Sequence, residues 1–368
     1  MKHSAPQKSC SKDRKAPQKD INIAMRILVT RTDRLGDVVL STPAIKALRQ
    51  RFPEAHIAFM VRPYTREIVA GNPYLDEVII YDKYGKQKSL LNTLRFALKL
   101  RKKKFDLALM LHPTSRVHII SFIAGIPRRI GYDRKFSFLL TDKFAHNKQK
   151  GEFHESEYTL GLLSMVGINT TDKTLFVPVN PAKLEKVEHI FKKFDLDNGS
   201  PVIVINPGAS CLSKRWDPHN FSVVADELVR IYNAKIITVS DKANEKNVET
   251  MKENMTHALV DLSGKTTLGE LAAVLSKSDL LISNDSGTIH IACALGVPTV
   301  SIFGRKDPGL SPKRWGPLGK SCVVLHKDVG CKRCFAHNCK IGFKCLEAIM
   351  PEEVIKSAGV LLKSRTGQ

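Results

Sequence analysis

Residues 279–308 constrain the fold of this chain more than any other stretch. They read DLLISNDSGTIHIACALGVPTVSIFGRKDP, in which a short apolar run, a polar turn, a helix-spaced apolar pattern and a second apolar run follow one another. This order predicts a strand at 280–283, a helix and then a strand at 299–303. Together these elements would form one β-α-β unit of an open α/β domain.

The polar turn of this unit lies where the carboxyl end of a strand meets the amino end of a helix. It contains Asp285, Ser286, Gly287 and Thr288. Backbone N–H groups and the positive end of the helix dipole are exposed at such a point, which favours an anionic ligand such as a phosphate. Asp, Ser and Thr also cap helices without any ligand. From this stretch alone both interpretations stay open.

The charge of the chain indicates an anionic partner. There are 58 Lys and Arg against 36 Asp and Glu in 368 residues, a net charge of +22. Nucleic acid, a lipid surface and a phosphorylated substrate all suit such a charge. No apolar run is long enough to span a bilayer, and the N-terminus lacks the apolar core of a secretory signal. We therefore expect a cytoplasmic protein, in which the eight cysteines form no disulfide scaffold.

Alternating strand and helix patterns predict an α/β protein with two doubly wound domains that face a cleft. Residues 1–22 are polar, basic and aperiodic, and we expect a disordered tail there. A first domain is predicted at 23–178 and a second at 179–348, because prolines interrupt the pattern near the boundary. Residues 349–368 are predicted to contain a helix.

Two further loops follow predicted strands. The first carries Asp37 after a glycine, and the second, PGASCLSKRW, carries Ser210 and Lys214. A carboxylate in such a loop can act as a general base, although it can equally stabilise the local turn. Small residues let a phosphate approach the backbone, and a lysine neutralises it. Ligands of these sheets bind beyond the carboxyl ends of the strands, where Asp37, Lys214 and Asp285 all lie.

Arginines are frequent in the loops of the predicted first domain. The guanidinium fork matches the oxygens of phosphates and carboxylates. Three arginines near strand ends are therefore candidates for binding an anionic acceptor: Arg34, Arg62 and Arg116.

Three segments in this order and spacing resemble glycosyltransferase family 9, the bacterial ADP-heptose:lipopolysaccharide heptosyltransferases. They are RILVTRTDRLGDVVLSTPAIKALRQRFP, NPGASCLSKRWDPHNF and SNDSGTIHIACALGVPTVSIFGRKDP. The resemblance covers residues 25–317, and HPTSRVHIISFIAGIPRRIGY is most similar to the heptosyltransferase II branch. It implies a GT-B architecture, in which the first domain takes the acceptor and the second the nucleotide sugar. In GT-B proteins the last helix crosses back to the first domain.

The resemblance also implies a role for individual residues. Asp37 matches the catalytic base, Asp285 matches a contact to sugar hydroxyls, and Ser210 and Lys214 match diphosphate contacts. The N–H groups of Ser286, Gly287 and Thr288 suit the same negative charge. Less securely matched positions are those for the ribose and adenine, namely Glu245, Lys265 and Thr266.

The implied reaction is an inverting, metal-independent transfer of heptose from ADP-heptose, with no cofactor required for catalysis. The implied acceptor is an anionic, lipid-linked Kdo2-lipid A or its heptosylated form. Such an enzyme would make peripheral contact with the cytoplasmic face of the inner membrane, and nucleic acid is not an expected partner.

A cysteine cluster near the C-terminus is compatible with a structural Zn²⁺ site. It comprises Cys331, Cys334, Cys339 and Cys345, although only the first pair has the usual ligand spacing. The cluster is not expected to take part in catalysis.

Two other functions are consistent with parts of the sequence. One is a GT-B enzyme that uses another nucleotide sugar, either a transferase or an epimerase; an epimerase would not need Asp37 as a base. The other is a basic, zinc-containing nucleic-acid-binding protein. Salt-dependent retention on DNA or RNA without sugar transfer would favour it, but that function does not account for the three loops.

Overall fold

The computed structural model describes residues 25–366 and contains two six-stranded sheets. The predicted disordered tail at 1–22 lies outside the described residues. The first half of the molecule contains β1 (Arg26–Thr30), α1 (Leu35–Val39), α2 (Thr42–Arg51), β2 (His56–Val61), α3 (Arg66–Val69), β3 (Glu77–Ile80), α4 (Leu90–Arg101), β4 (Leu107–Met110), α5 (Ser115–Ile123), β5 (Arg128–Tyr132), β6 (Asp142–Phe144) and α6 (Glu155–Leu162).

The second half repeats the alternation. It contains α7 (Pro181–Lys193), β7 (Val202–Asn206), α8 (Pro218–Tyr232), β8 (Lys235–Thr238), α9 (Glu245–Glu253), β9 (Val260–Asp261), α10 (Leu268–Ser276), β10 (Leu280–Asn284), α11 (Gly287–Ala294), β11 (Thr299–Phe303), α12 (Pro312–Trp315), β12 (Cys322–His326), α13 (Lys344–Glu347) and α14 (Pro351–Thr366).

Both sheets are parallel and have the same strand order. The first runs β3-β2-β1-β4-β5-β6, and the second runs β12-β11-β10-β7-β8-β9. If the strands of the second sheet are numbered from 1 to 6 along the chain, its order read from β9 is also 3-2-1-4-5-6. The order therefore reverses between β1 and β4 in one sheet and between β7 and β10 in the other. Ligands of doubly wound sheets bind at these switch points, and the segments that carry Asp37, Lys214 and Asp285 follow β1, β7 and β10. Asp37 lies in the first turn of α1 and not in a loop as predicted.

The strands form because short apolar runs can be buried on both faces only between layers of helices. All five residues of β7, β10 and β11 are buried. The predicted α/β fold is thus confirmed, and the strand at Thr299–Phe303 has the predicted bounds.

The sequence predicts helix N-caps at Thr42, at Asp217 and at Thr267, the last in a capping box with Glu270, and the structure confirms the second and third. Asp217 caps α8 through a hydrogen bond from the N–H of His219 at 2.9 Å, and Thr267 and Glu270 form the predicted capping box of α10. The prediction that Thr42 caps α2 is wrong by one residue. Ser41 is the N-cap, and the Thr42 hydroxyl instead donates to the carbonyl of Val39 at 2.7 Å.

The C-terminal helix corrects one expectation. The family resemblance implies that this helix crosses back to the first domain, whereas α14 packs against α8, β10 and β11 of the second half. Its apolar face, which includes Val354, Ala358 and Leu361, joins the core beneath the second sheet. A helix docks wherever its apolar face is buried best, and here that surface belongs to the second half. Among residues 25–366, no helix is long and apolar enough to cross a membrane.

Candidate active site

Asp37 is a buried carboxylate that lies beyond the carboxyl ends of the strands of the first sheet. It lies in the first turn of α1, directly after the loop that follows β1. Asp37 is only 7% exposed, and the guanidinium of Arg31 donates a hydrogen bond from Nη2 to its Oδ1. Because β1 borders the switch point of the sheet, Asp37 lies where ligands of this fold bind.

The surroundings of Asp37 make it a stronger base than an ordinary aspartate. Burial raises its pKa to about 6; the negative charges of Asp33 and Glu155 act in the same direction, and Arg31 opposes them. Arg31 cannot cancel the effect because it also donates to Asp33 at 2.9 Å and to Glu155 at 3.0 Å. A carboxyl group with this pKa is ionised at neutral pH and still accepts a proton readily.

Two cations bind one carboxylate beyond the carboxyl ends of the strands of the second sheet. Nζ of Lys214 lies 3.0 Å from Oδ1 of Asp285, and Nη2 of Arg305 donates to Oδ2 of Asp285 at 2.6 Å. The three residues follow the neighbouring strands β7, β10 and β11. Burial lowers the pKa of Lys214, although Asp285 opposes the shift. The trio carries one more positive than negative charge, which suits an anionic ligand.

The amino end of α11 lies beside this trio. Ser286 is the N-cap, but its side chain makes no capping hydrogen bond. Instead, the Asn206 amide donates to the hydroxyls of Ser286 at 3.1 Å and Thr288 at 3.0 Å. The side chains of the turn are thus held by Asn206, and the start of the helix can present its N–H groups to an anion.

The two halves enclose these residues between them. A cavity of about 450 Å³ has Arg34, Gly36 and Tyr64 on one wall. On its other wall lie predicted donor-binding residues of the second half, namely Ser210, Lys214, Thr266, Asp285, Ser286, Gly287 and Thr288. A smaller cavity of about 100 Å³ shares part of this wall and is lined by Asp37, Lys214 and Asp285 together. The structure therefore brings the three predicted central residues to one site.

Two glycines permit the close approach of α1 and α11 across the site. A Cβ atom added at Gly36 would lie 2.7 Å from Cδ2 of His290, and one added at Gly287 would lie 2.9 Å from Cβ of Leu35. Both distances are shorter than any normal carbon–carbon contact. His290 is buried, and burial lowers the pKa of its imidazole to about 3. A neutral, packed ring therefore forms this part of the interface.

Glu155 links the halves electrostatically. Its Oε1 accepts hydrogen bonds from Arg31 at 3.0 Å and from Lys148 at 2.6 Å. Its Oε2 accepts two from Arg314 of α12, at 3.0 and 2.7 Å. Glu155 is 1% exposed, and these cations hold its pKa well below the ordinary value despite the opposing effect of burial. The second half of the molecule is thus connected to Asp37 through Glu155 and Arg31.

Comparison with known proteins identifies the family. The model of glycosyltransferase family 9 (heptosyltransferase) matches residues 93–344, more than half of the chain. The chain belongs to glycosyltransferase family 9. It is 25% identical over 348 residues to lipopolysaccharide heptosyltransferase 2 of Escherichia coli (strain K12). This alignment covers 92% of this chain and 99% of that protein.

Two solved structures agree with the assignment of this glycosyltransferase. A family 9 glycosyltransferase from Veillonella parvula DSM 2008 superimposes with a TM-score of 0.84 at 27% identity, covering 93% of this chain and 98% of that one. The ADP-heptose heptosyltransferase II of E. coli superimposes with a TM-score of 0.77 at 21% identity, covering 93% of this chain and 100% of that one. The predicted family and the GT-B fold are confirmed, and a transferase is favoured over a nucleic-acid-binding protein.

The predicted ribose and adenine contacts of this transferase lie differently with respect to the cavity. Thr266 lines it, as do Asp241 and Asn244. Glu245 is exposed at the start of α9 and is not among the lining residues, and Nζ of Lys265 donates to the carbonyl of Asp261 at 2.8 Å. The structure therefore brings Thr266 to the cleft and leaves Glu245 outside it.

Of the three candidate acceptor arginines, one borders both cavities. Arg34 is exposed and lines each of them. Arg62 stacks over the rings of Tyr64 and Tyr84, each at 4.6 Å. The guanidinium of Arg116 donates to backbone carbonyls of the loop before α4, including that of Lys88 at 3.0 Å. Arg116 thus stabilises a loop in this structure.

The C-terminal cysteines share a cavity of about 390 Å³. It is lined by Cys331, Cys334, Cys339 and Cys345. Within residues 25–366, however, no group of three or more His, Cys, Asp or Glu side chains is arranged to hold a metal ion. The cysteines thus lie around one cavity without the close grouping that a tetrahedral zinc site needs.

Several site residues were missed by sequence reasoning. Arg305 follows β11 by two residues, and Asn206 is the last residue of β7, so both carry the strand-end signal that identified Lys214. Arg31 and Glu155 are 124 positions apart. No local pattern could have paired them.

Proposed function

We propose that this glycosyltransferase transfers heptose from ADP-heptose to the inner core of a lipid A-linked acceptor, with inversion at the anomeric carbon. The observation that carries the proposal is the small cavity in which Asp37 of one half meets Lys214 and Asp285 of the other. The family assignment and the names of the relatives support the choice of sugar.

Asp37 is proposed as the general base. The acceptor hydroxyl oxygen attacks C1 of the heptose while its proton passes to Asp37. The bond between C1 and the β-phosphate oxygen breaks, and its electron pair leaves with ADP. A single displacement from the face opposite the leaving group inverts the configuration. Removal of the proton as the new bond forms prevents charge from building up on the acceptor oxygen.

The second half is proposed to stabilise the departing diphosphate. Negative charge grows on ADP as the bond breaks, so fixed positive groups stabilise the transition state more than the bound donor. Lys214, the amino end of α11 and the small loop at Ser210 are the groups placed for this task. Asp285, oriented by Lys214 and Arg305, would accept hydrogen bonds from sugar hydroxyls.

Each of the two sheets supports the binding of one substrate. We propose that residues 23–178 form the acceptor-binding domain and residues 179–348 the nucleotide-sugar-binding domain. The acceptor is an anionic, lipid-linked Kdo2-lipid A or its heptosylated form, and the enzyme contacts the cytoplasmic face of the inner membrane peripherally. The net charge of +22 supports an acceptor that carries carboxylates and phosphates.

A donor panel tests the proposal. The purified protein is incubated with ADP-heptose, UDP-glucose or GDP-mannose, on Kdo2-lipid A and on heptosyl-Kdo2-lipid A, with and without EDTA. We expect product from ADP-heptose on at least one acceptor, and the same amount when EDTA is present. Transfer only from another donor, or no product from ADP-heptose, would refute the donor assignment; loss of product in EDTA would refute the metal-free mechanism.

A further inference from the structure

An unusual apolar surface lies on the first half, outside the active site. Helix α4 exposes Leu90, Leu91, Leu94 and Leu98, and the neighbouring α5 exposes Phe122. Leu90 is 81% and Leu91 56% exposed. We call these five side chains the α4–α5 face.

The leucines form one continuous stripe. Positions 90, 91, 94 and 98 fall within about 100° of each other around a helix, because each residue advances by about 100°. The side of α4 that packs on the domain is a different one and carries Thr93, Ala97 and Leu100. Three of these leucines, Leu90, Leu91 and Leu94, also line a groove of about 410 Å³ between α4 and α5, whose walls are mostly Leu, Ile and Ala. The stripe is therefore additional to the side that the core requires.

The chain around this face is strongly basic. From residue 83 to residue 132 the sequence holds twelve Lys and Arg, and Asp106 is its single acidic residue. The cations are Lys83, Lys86, Lys88, Arg95, Lys99, Arg101, Lys102, Lys103, Lys104, Arg116, Arg128 and Arg129. Four of them have partners within the protein: Lys103 pairs with Glu77, Arg128 pairs with Asp142, and Arg116 and Arg129 donate to backbone carbonyls. An apolar stripe bordered by Lys and Arg is the pattern of a helix that lies in the interface of an anionic bilayer.

We propose that the α4–α5 face docks on an anionic lipid bilayer, with the leucines inserted between the headgroups and the exposed cations beside them, such as Lys99 and Lys102, bound to lipid phosphates. A second copy of this chain is a poorer occupant. In a twofold dimer the same patch meets itself, and the cations of both copies would then be brought together. A bilayer supplies the opposite charge to the exposed cations, including Lys99 and Lys102.

The position of the face suits the proposed acceptor, and this part of the inference rests on the proposed function. Helix α5 begins at Ser115, shortly after the carboxyl end of β4. There the carbonyl of Leu111 accepts a hydrogen bond from Arg31 at 3.2 Å, beside Asp37. A bilayer bound at α4 and α5 would thus lie against the half that carries the base. Docking itself does not depend on which sugar is transferred.

Vesicle binding by the full chain tests the inference. Cosedimentation is measured with vesicles of phosphatidylethanolamine and phosphatidylglycerol and, in parallel, of phosphatidylcholine alone. The double variant Leu91→Gln, Leu94→Gln removes two leucines of the face. Its matched control, Ile231→Gln with Val360→Gln, changes two apolar residues of the second half that are 47% and 60% exposed.

The charge is tested in the same way. The double variant Lys99→Gln, Lys102→Gln removes two exposed lysines at the end of α4. Its matched control, Lys192→Gln with Lys193→Gln, removes two exposed lysines at the end of α7 in the second half. We expect the unaltered protein to bind the anionic vesicles, more weakly at high salt. Each α4 variant should bind about tenfold more weakly, because each loses part of the apolar or electrostatic attraction. The two controls should bind like the unaltered protein.

Other outcomes would contradict the docking proposal. Equal binding to phosphatidylcholine vesicles, or equal loss in the control variants, would overturn the proposal. Absence of vesicle binding, together with self-association that the leucine variant abolishes, would assign the face to a second copy instead. If docking serves catalysis, the leucine variant should retain turnover on a deacylated, water-soluble acceptor and lose it on an acceptor embedded in vesicles. Failure of all turnover with intact vesicle binding would count against the proposed function alone.

Discussion

The guanidinium of Arg314 donates two hydrogen bonds to Oε2 of Glu155, at 3.0 and 2.7 Å, while Arg31 binds the other oxygen of the same carboxylate at 3.0 Å. Arg314 belongs to the second half and Arg31 to the first, where Arg31 also binds Asp37. One buried side chain, that of Glu155, therefore joins the second half to the environment of the proposed base.

Replacing Asp37 with Asn should abolish most of the turnover. Asparagine keeps the shape of the side chain but cannot accept the proton, and general-base catalysis contributes roughly a hundredfold to ten-thousandfold. We expect kcat to fall by this factor while calorimetry shows unchanged binding of the donor. A variant with more than half of the normal kcat would show that another group takes the proton.

The activity should fall on the acid side of neutrality. The pKa of Asp37 is raised to about 6, so the base becomes protonated below that pH. Only the ionised form accepts a proton, and kcat/KM should therefore drop about tenfold for each pH unit below 6. Initial rates between pH 5 and pH 9, with folding checked by circular dichroism, would measure this. A flat profile down to pH 5 would contradict the raised pKa.

Replacing Glu155 with Gln should both destabilise the protein and alter the base. Breaking a buried ion pair from one side costs about 3–5 kcal/mol, because Arg31, Lys148 and Arg314 lose their shared partner. The loss should be complete near neutral pH and smaller below about pH 4.5: the pKa of Glu155 is depressed in the fold, so its stabilising effect exists above the ordinary value of 4.5 and is lost as the pH falls. Denaturant unfolding at several pH values would measure it.

The same variant has a readout that mere destabilisation would not produce. The charge of Glu155 raises the pKa of Asp37, so its removal should move the acid limb of the pH–rate profile to lower pH. The matched control is Glu157→Gln, two residues away, which removes a surface ion pair with Lys173. Surface pairs contribute at most about 1 kcal/mol, and the control should leave the profile in place. An unmoved limb in Glu155→Gln would refute the linkage.

Replacing Arg305 with Met should weaken use of the donor. Arg305 is 5% exposed and holds Oδ2 of Asp285, whereas its neighbour Lys306 pairs with the exposed Asp328. Hydrogen bonds to charged groups contribute about 1.5–3 kcal/mol, which corresponds to a rise of roughly tenfold to a hundredfold in the KM for the donor. Lys306→Met should change it little. Equal effects of both substitutions would argue for a general loss of positive charge.

Replacing Gly36 with Ala should hold the two halves apart. The new Cβ would lie 2.7 Å from the ring of His290, and displacement by about 1 Å can reduce a rate roughly a hundredfold. Gly161→Ala, where the nearest atom lies 3.6 Å away, is the control. We expect lower kcat and a larger radius of gyration by solution scattering only for Gly36→Ala. Normal kcat in this variant would show that the contact is not needed.

Much of the site was predictable because of how parallel sheets are built. Each predicted loop followed an apolar run, and the carboxyl ends of neighbouring parallel strands share one edge. This geometry alone predicts that Asp37, Lys214 and Asp285 lie together. The predicted ribose contact of Glu245 rests on a weaker match to the family and not on this geometry, and Glu245 lies outside the cavity.

The sequence by itself determined the β-α-β repeats, the polar loops at the strand ends and the family, since local apolar periodicity and three motifs in order contain that information. Only the tertiary structure decided that Glu155 joins Arg314 to Arg31, that α14 stays on the second sheet, and that the leucines of α4 face outward. Those features depend on which surfaces meet when two distant parts of the chain pack, and packing between distant residues leaves no periodic trace along the chain.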